Sequence, residues 1–254
     1  MIRKHLHRHI KKHHYNLGGI ALAVSVVVFS VSVLWDFGMI ELPAKIVSWG
    51  RQLSGAVATS SNLSAELPLK FHKQEHSLSC EAAVLKMVLN YHGVDVSESE
   101  VIEKMPFDET PRSGNVWGDP DIGFVGNIDG KMMVDGYGIY WGPLAITASH
   151  WKDSKIIKHG LAKDLAGHIS AGRPVIIWGY LGRGKPVGWQ TSEGKKIYGI
   201  NGEHAFVVYG YDGPVDNPVG FKVMDPLYGP KYWKTSELIR NWDSFGRMGM
   251  VVYP

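Results

Sequence analysis

The chain has 254 residues, enough for one large domain and an additional segment, and its 44% hydrophobic content allows a sizeable core. The net charge of +3 is unevenly spread: residues 1–16 hold five basic side chains and no acidic one, so the remainder carries −2. Because the rest of the chain is mildly acidic, its charge does not favour binding to nucleic acid. The single cysteine, Cys80, excludes an internal disulfide.

A membrane segment is predicted near the amino terminus. Residues 17–35 form an uncharged apolar run of 19 residues, and a helix of that length would span about 28 Å, close to the thickness of a bilayer core. A cleaved signal peptide is the alternative, but its apolar core would be shorter, and the nearest small-residue site, residues 56–58, lies too far beyond the run. We therefore predict a basic cytoplasmic stub (1–16), a transmembrane signal anchor (17–36) and an extracytoplasmic body.

The rest of the chain is predicted to be a stalk or linker (37–66) followed by a domain (67–254). Ser77 or Ser79 can cap a helix that runs to about His92, and Ser97 with Glu100 forms a capping-box pattern for a second, short helix. Residues 107–142 are rich in glycine, aspartate and proline and are predicted to form a long ordered loop.

The predicted second half changes from helical to strand-like periodicity. Helices are expected around residues 143–151 and 161–171, and a later one from Thr235 through Trp242. Strands are expected at residues 174–178, 205–211, 220–224 and 248–253. Helices first and strands afterwards indicate an α+β fold with an antiparallel sheet.

The residues around Cys80 suggest nucleophilic catalysis. A thiol in the first turn of a helix is stabilised as thiolate by the helix N-terminus, so its pKa is expected to fall. His204, at the start of a strand, could serve as base and acid, and Asp225, at the end of the next strand, could orient the imidazole, with Asp212 as the alternative. Gln74, six residues before the cysteine, could donate its amide to an oxyanion.

These motifs resemble a family. Gln74 with the segment 79–83, the Gly-Glu-His-Ala segment 202–205 and the Val-Met-Asp-Pro segment 223–226 are similar to the bacterial double-glycine cysteine peptidases, the papain-like family thirty-nine of the cysteine peptidases. Segments 117–120 and 123–126 resemble its stand-alone branch. The resemblance implies a papain-like peptidase domain with Cys80 as nucleophile, His204 as base and acid, Asp225 as orienting residue and Gln74 as oxyanion donor.

The best-known members of that family cut leader peptides after paired glycines and are fused to an ATP-driven exporter. This chain has no glycine-rich phosphate loop, so no ATP use is predicted, although a neighbouring exporter remains a possible partner. Its anchor would place the domain outside the cell, which favours an extracytoplasmic peptide or envelope substrate. An inactive, peptidase-like binding module at the cell surface and a thiol acyltransferase are the alternatives.

Other candidate sites are weaker. Trp117 and Trp141 could line a substrate groove, although most tryptophans are expected to pack in the core. No group of histidine, cysteine and carboxylate residues has the spacing of metal ligands, so neither a metal nor another cofactor is predicted. The expected partners are a peptide or protein substrate and the lipid bilayer, through residues 17–36.

Overall fold

The computed structural model describes residues 64–254. The predicted stub, the predicted anchor and the stalk up to residue 63 lie outside the described residues. Within 64–254, none of the helices combines the length and apolar character needed to cross a membrane. The last residues assigned to the stalk belong to the domain, because Ala65–Glu66 forms a first strand that pairs with a central strand of the sheet.

One seven-stranded sheet organises the domain, and its pairings are antiparallel. Its strand order is β4-β9-β5-β6-β7-β8, with β1 pairing to β6 as well. Two short parallel strands form a separate pair in the loop after the second helix. The strands are β1 Ala65–Glu66, β2 Phe107–Asp108, β3 Phe124–Val125, β4 Ser154–Ile157, β5 Val175–Gln190, β6 Lys196–Asp212, β7 Gly220–Asp225, β8 Gly229–Lys234 and β9 Gly249–Val252.

The helices follow local sequence signals. The predicted capping box is present: Ser97 accepts from the amide of Glu100, and the Glu100 carboxylate accepts from the amide of Ser97. The first helix ends just before Gly93, whose φ of 82° suits a residue without a side chain. The helices are α1 Cys80–Tyr91, α2 Glu98–Lys104, α3 Trp141–Ala148, α4 Ala162–Ser170 and α5 Thr235–Asp243.

The sheet separates two cores. On one face, α1 packs with alternate residues of β6 such as Ala205 and Val207. On the other face, α4 and α5 pack with the intervening residues Phe206 and Val208. This alternation follows from the two-residue repeat of a strand. The predicted α+β class with an antiparallel sheet is confirmed.

Candidate active site

A tightly bonded loop delivers Cys80 to the start of α1. The amide of Gln74 donates to the carbonyl of Pro226 at 2.9 Å, which ties the loop to the end of β7. The Gln74 side-chain amide donates to the carbonyls of His76 and Ser77 at 2.8 and 3.1 Å. Ser79 does not cap α1 with its side chain; its hydroxyl accepts from the amide of His76 instead. These hydrogen bonds hold the loop that leads into α1, and they therefore fix the position of Cys80, the first residue of that helix.

The sulfur of Cys80 lies against the backbone that follows His204. Met224 of β7 pairs with Val207 of β6, and β7 ends at the next residue, so the earlier part of β6 extends past it. The sulfur takes up this position and accepts a hydrogen bond from the amide of Ala205 at 3.5 Å. Residues far apart in sequence are thereby brought together.

His204 and Asp225 form a buried pair. Nε2 of His204 lies 2.9 Å from Oδ1 of Asp225, and both side chains are almost fully enclosed. The same carboxylate accepts from the amide of Leu227 at 2.8 Å and from Nζ of Lys231 at 2.7 Å. Because Nε2 is engaged, Nδ1 is the ring nitrogen left for a reacting group. The carboxylate beside His204 is thus Asp225 rather than the alternative, Asp212.

The imidazole and the sulfur flank the backbone of β6 from different sides. The ring packs edge-on against Phe206, with centroids 4.8 Å apart, in the core that contains α4 and α5. Cys80 belongs with Ala205 to the core that contains α1. Among the described residues, the hydrogen bonds of the sulfur go to Ala205 and to Oε2 of Glu81, the latter at 3.1 Å. No hydrogen bond or ion pair joins the two side chains in this conformation, so proton exchange between them stays a prediction.

The pKa of the Cys80 thiol differs from the value expected from the sequence. Burial raises the pKa of the Cys80 thiol well above its usual value, and the nearby carboxyls of Glu81 and Glu203 raise it further. The hydrogen bond from Ala205 lowers this pKa without compensating. The predicted fall in pKa from the helix N-terminus is thus outweighed, and the resting group is a thiol.

At Asp225 the balance is the reverse. Burial pushes the pKa of this carboxyl upward, but the hydrogen bond and charge of His204, with Lys231 and the amide of Leu227, outweigh burial and lower it to about 2. Asp225 is therefore a carboxylate throughout the physiological range, as a residue that orients an imidazole must be.

Two buried carboxyls beside the sulfur were quoted in the sequence motifs but given no role there. Glu81 follows Cys80, and Glu203 precedes His204; neither has more than 3% exposure. One side-chain sulfur or oxygen atom from each of Cys80, Glu81 and Glu203 lies within 4.8 Å of the others. The sequence did not predict this cluster because Glu203 is distant in the chain from the other two residues. His72, Glu75 and Glu98 form a second such cluster.

The remaining predicted residues are placed as follows. Gln74 uses its amide nitrogen to hold the loop, and its buried Oε1 has no hydrogen-bond partner among the described residues, so its oxyanion role stays a prediction. Trp117 is buried against Trp189 and lies under the guanidinium of Arg112, beside a surface groove. Trp141 stacks on Tyr140 at 4.9 Å. Both tryptophans make packing contacts, and their predicted place in a substrate groove stays a prediction.

The comparisons with known proteins agree with this fold. The sequence model described as the Peptidase_C39 like family matches residues 66–250, and the chain belongs to that family. The family resemblance predicted from the sequence is confirmed, and it supports a peptidase-like function at the level of the family. The matched range includes Cys80, His204 and Asp225.

Individual relatives are more distant. The chain is 28% identical over 191 residues to the uncharacterized protein YvpB of Bacillus subtilis (strain 168), covering 68% of each chain. A crystal structure from Bacillus anthracis, described as a C39-like peptidase, has a TM-score of 0.66 and 24% identity, covering 76% of this chain and 98% of that one. A double glycine motif protease from an AMS/PCAT transporter, in complex with the leader peptide, has a TM-score of 0.42 and 14% identity, with 75% and 95% coverage.

Proposed function

We propose that this chain is a cysteine peptidase in which Cys80 is the nucleophile, His204 exchanges protons with the reacting groups and Asp225 orients His204. Two observations support the proposal: the amide of Ala205, the residue after His204, donates a hydrogen bond of 3.5 Å to the sulfur of the only cysteine in the chain, and His204 is itself paired with the carboxylate of Asp225. A cysteine that is buried only as a small apolar residue would not be expected to lie next to the strand that carries a paired histidine and carboxylate.

The proposed chemistry divides hydrolysis into two acyl transfers. The sulfur attacks the peptide carbonyl as the thiol gives its proton to a neighbouring base, and the amine leaves with a proton from the protonated ring of His204, which yields a thioester on Cys80. Water then attacks the thioester and gives a proton back to His204, while the departing sulfur takes back the proton held by the base. Asp225 stays ionised and holds the imidazole through Nε2, so that Nδ1 carries out both proton transfers. Gln74 remains the proposed oxyanion donor, provided its amide turns from the loop carbonyls to the substrate.

Cleavage of a peptide library tests this directly. We expect the full-length protein to generate new amino termini, and Cys80→Ala to generate none. Cys80→Ser is the closer control, because it keeps the size and hydrogen bonding of the side chain with a far weaker nucleophile. Equal cleavage by Cys80→Ala and the unchanged protein would remove Cys80 from the mechanism.

We further propose that residues 17–36 anchor the domain to the membrane and that its substrate is a peptide or protein outside the cytoplasm, Trp117 and Trp141 contributing to the substrate groove. The uncharged run of residues 17–35 and the basic residues before it support this topology. The protein should stay with membranes after alkaline carbonate washing, and protease added outside spheroplasts should degrade the domain. Release by carbonate, or protection of the domain from protease, would contradict the proposed topology.

A second function is favoured by the burial of the sulfur. Cys80 is only 4% exposed, and its thiol has a raised pKa, as expected for a catalytically silent domain that binds peptides. The two functions separate in one experiment: a silent module would bind library peptides without cleaving them, equally well with and without Cys80→Ala. Transfer of the acyl group to an added amine would instead identify an acyltransferase.

A further inference from the structure

The sulfur of Cys80 contacts an acidic side chain rather than the imidazole. The thiol donates to Oε2 of Glu81 at 3.1 Å, while Oε1 of the same carboxyl accepts from the amide of Ile139 at 2.8 Å. Glu81 is fully buried, so this contact is shielded from water. A carboxylate in that position is within reach of the proton that a nucleophilic thiol must lose.

Glu203 completes the arrangement around Glu81. Both carboxyl oxygens of Glu203 are buried without a hydrogen-bond donor among the described residues. They face Glu81 closely: a side chain at Gly138 would place its Cβ 2.5 Å from Oε1 of Glu81 and 2.6 Å from Oε2 of Glu203. Two adjacent carboxyls can hydrogen bond only if one holds a proton. A proton shared by Glu81 and Glu203 supplies the donor that the second carboxyl lacks.

We propose that Glu81, paired with Glu203 through a shared proton, accepts the proton of the Cys80 thiol as the sulfur attacks. This inference rests on the proposed peptidase function and adds a catalytic residue to it. The S–H bond breaks, an O–H bond forms at Oε2 of Glu81, and the electron pair left on sulfur forms the bond to the carbonyl carbon. When the thioester is hydrolysed, the proton returns from Glu81 to the departing sulfur, so the cycle is balanced.

The surroundings favour the transfer. The negative charge that moves from Glu81 to the sulfur arrives at the N-terminus of α1 and at the amide of Ala205, both of which stabilise an anion. The pKa of Glu81 is raised by burial to about 7, although the amide of Ile139 and the thiol lower it in part. The pKa of Glu203 is raised well above its usual value by burial and by Glu81.

Other ionisable groups facing this pair come from each neighbouring element. Tyr137 and Tyr140, before α3, have pKa values raised mainly by burial and further by the charge of Glu203, so they stay neutral. On β6, His204 adjoins Glu203, and its ring is engaged with Asp225 and, through that carboxylate, with Lys231. Asp119 and Asp121 act on Tyr140 but are themselves bound by Lys195.

The test is the pH dependence of Cys80 alkylation by iodoacetamide in the full-length protein, with a chelator present. Because Cys80 is the only cysteine, the mass increase reports this thiol alone. The rate should rise and level off near pH 7, where Glu81 becomes able to accept a proton. In Glu81→Gln, which keeps the shape but cannot take a proton, this step should vanish, and the rate at pH 7.5 should fall about tenfold or more.

Two further variants, at His204 and Glu203, test whether Glu81 is the group that accepts the thiol proton. His204→Asn should keep the step near neutral pH while losing turnover. Glu203→Gln should move the step to lower pH, because the new amide donates to Glu81 and a competing carboxyl is gone; this variant still decides the question if Glu81→Gln does not fold. A step that survives in Glu81→Gln, or stays unshifted in Glu203→Gln, would overturn the role of Glu81. Absence of alkylation at every pH in the unchanged native protein would instead count against the peptidase function itself.

Discussion

Two buried carboxyl groups lie on either side of the β6 backbone, and their environments have opposite effects. Asp225 has a histidine, a lysine and a backbone amide as partners, and its pKa falls to about 2. Glu81 is enclosed with a thiol and a second carboxyl, and its pKa rises to about 7. Burial alone therefore does not decide whether a carboxyl is charged; the donors around it do. On the side of β6 that holds His204, the Asp225 carboxylate therefore stays charged, whereas on the side that holds Cys80, Glu81 can gain or lose a proton near neutral pH.

Removing the charge at Asp225 should have the largest effect. Asp225→Ala removes the carboxylate that is bonded to His204 and leaves the Nζ of Lys231 without that partner. We expect turnover of a cleaved peptide to fall about 100-fold or more, the usual scale for losing an oriented acid–base group. Asp225→Asn is the matched control, because its oxygen can still accept from Nε2 and should preserve more activity. Equal activity of the alanine and asparagine variants would show that orientation of His204 is unimportant.

Substitution of Gly138 should have the next largest effect, on the stability of the fold. Gly138→Ala would place a Cβ within 2.6 Å of both buried carboxyls, so Glu81 and Glu203 must separate. We expect a loss in the free energy of unfolding of about 1–3 kcal/mol, typical of an overpacked core, measurable by urea denaturation. Gly142→Ala, where an added Cβ meets no atom within 4 Å, is the control. Equal destabilisation by the two substitutions would contradict the close packing of the pair.

The two sides should also respond oppositely to pH. The folded pKa of Glu81 is raised above its unfolded value near 4.3, so its contribution to stability is complete at low pH and is lost as pH rises through about 7. The folded pKa of Asp225 is depressed, so its contribution is present above about pH 4 and is lost as pH falls toward 2. Glu203→Gln should therefore reduce the decline in unfolding free energy between pH 5 and 8, by on the order of 2 kcal/mol.

The measurement is urea unfolding at several pH values, with Asp225→Asn as the counterpart. That variant should lose the acid limb of the curve and keep the decline toward neutral pH. If the decline is equally steep in Glu203→Gln and in the unchanged protein, the two carboxyls do not share protons.

Substitution of Lys231 should have the smallest effect. Its Nζ lies 2.7 Å from Oδ2 of Asp225 but its side chain is about one-third exposed, so water screens the pair. Lys231→Met should raise the pKa of Asp225, move the acid limb of stability to higher pH and reduce turnover only a few-fold. Lys234→Met, on the same strand, is the control. A loss of turnover as large as that of Asp225→Ala would mean that Lys231 contacts the reacting groups.

Sequence patterns predicted the parts of the fold that rest on local signals. The helix after Ser79, the capping box at Ser97 and the central strands were expected because caps, glycine stops and apolar repeats lie within a few residues. Strands β4 and β8 were missed, since each is short or carries exposed alternate residues and is defined by pairing with β9 and β7. The hairpin of β5 and β6 extends further than predicted because its outer part includes glycines and polar residues.

For the candidate site as well, residues in local motifs were predictable from the sequence, whereas contacts made only by folding were not. Cys80, His204 and Asp225 stand in short, recognisable segments, and the structure gathers them at the end of β7. Glu81 and Glu203 were visible in those segments, but their contact depends on how α1 meets β6, which no local pattern encodes. Lys231 had no signal at all, because its role arises from the register between β7 and β8.

The central claim is that a thiol which rests protonated and buried becomes the nucleophile when substrate binds. Labelling with a peptidyl chloromethyl ketone, followed by mass spectrometry, tests it most directly. The account predicts one saturable label on Cys80 of the native protein, blocked by a cleaved peptide and lost with the fold. Labelling that occurs only after unfolding, or that competing peptide does not slow, would contradict the account.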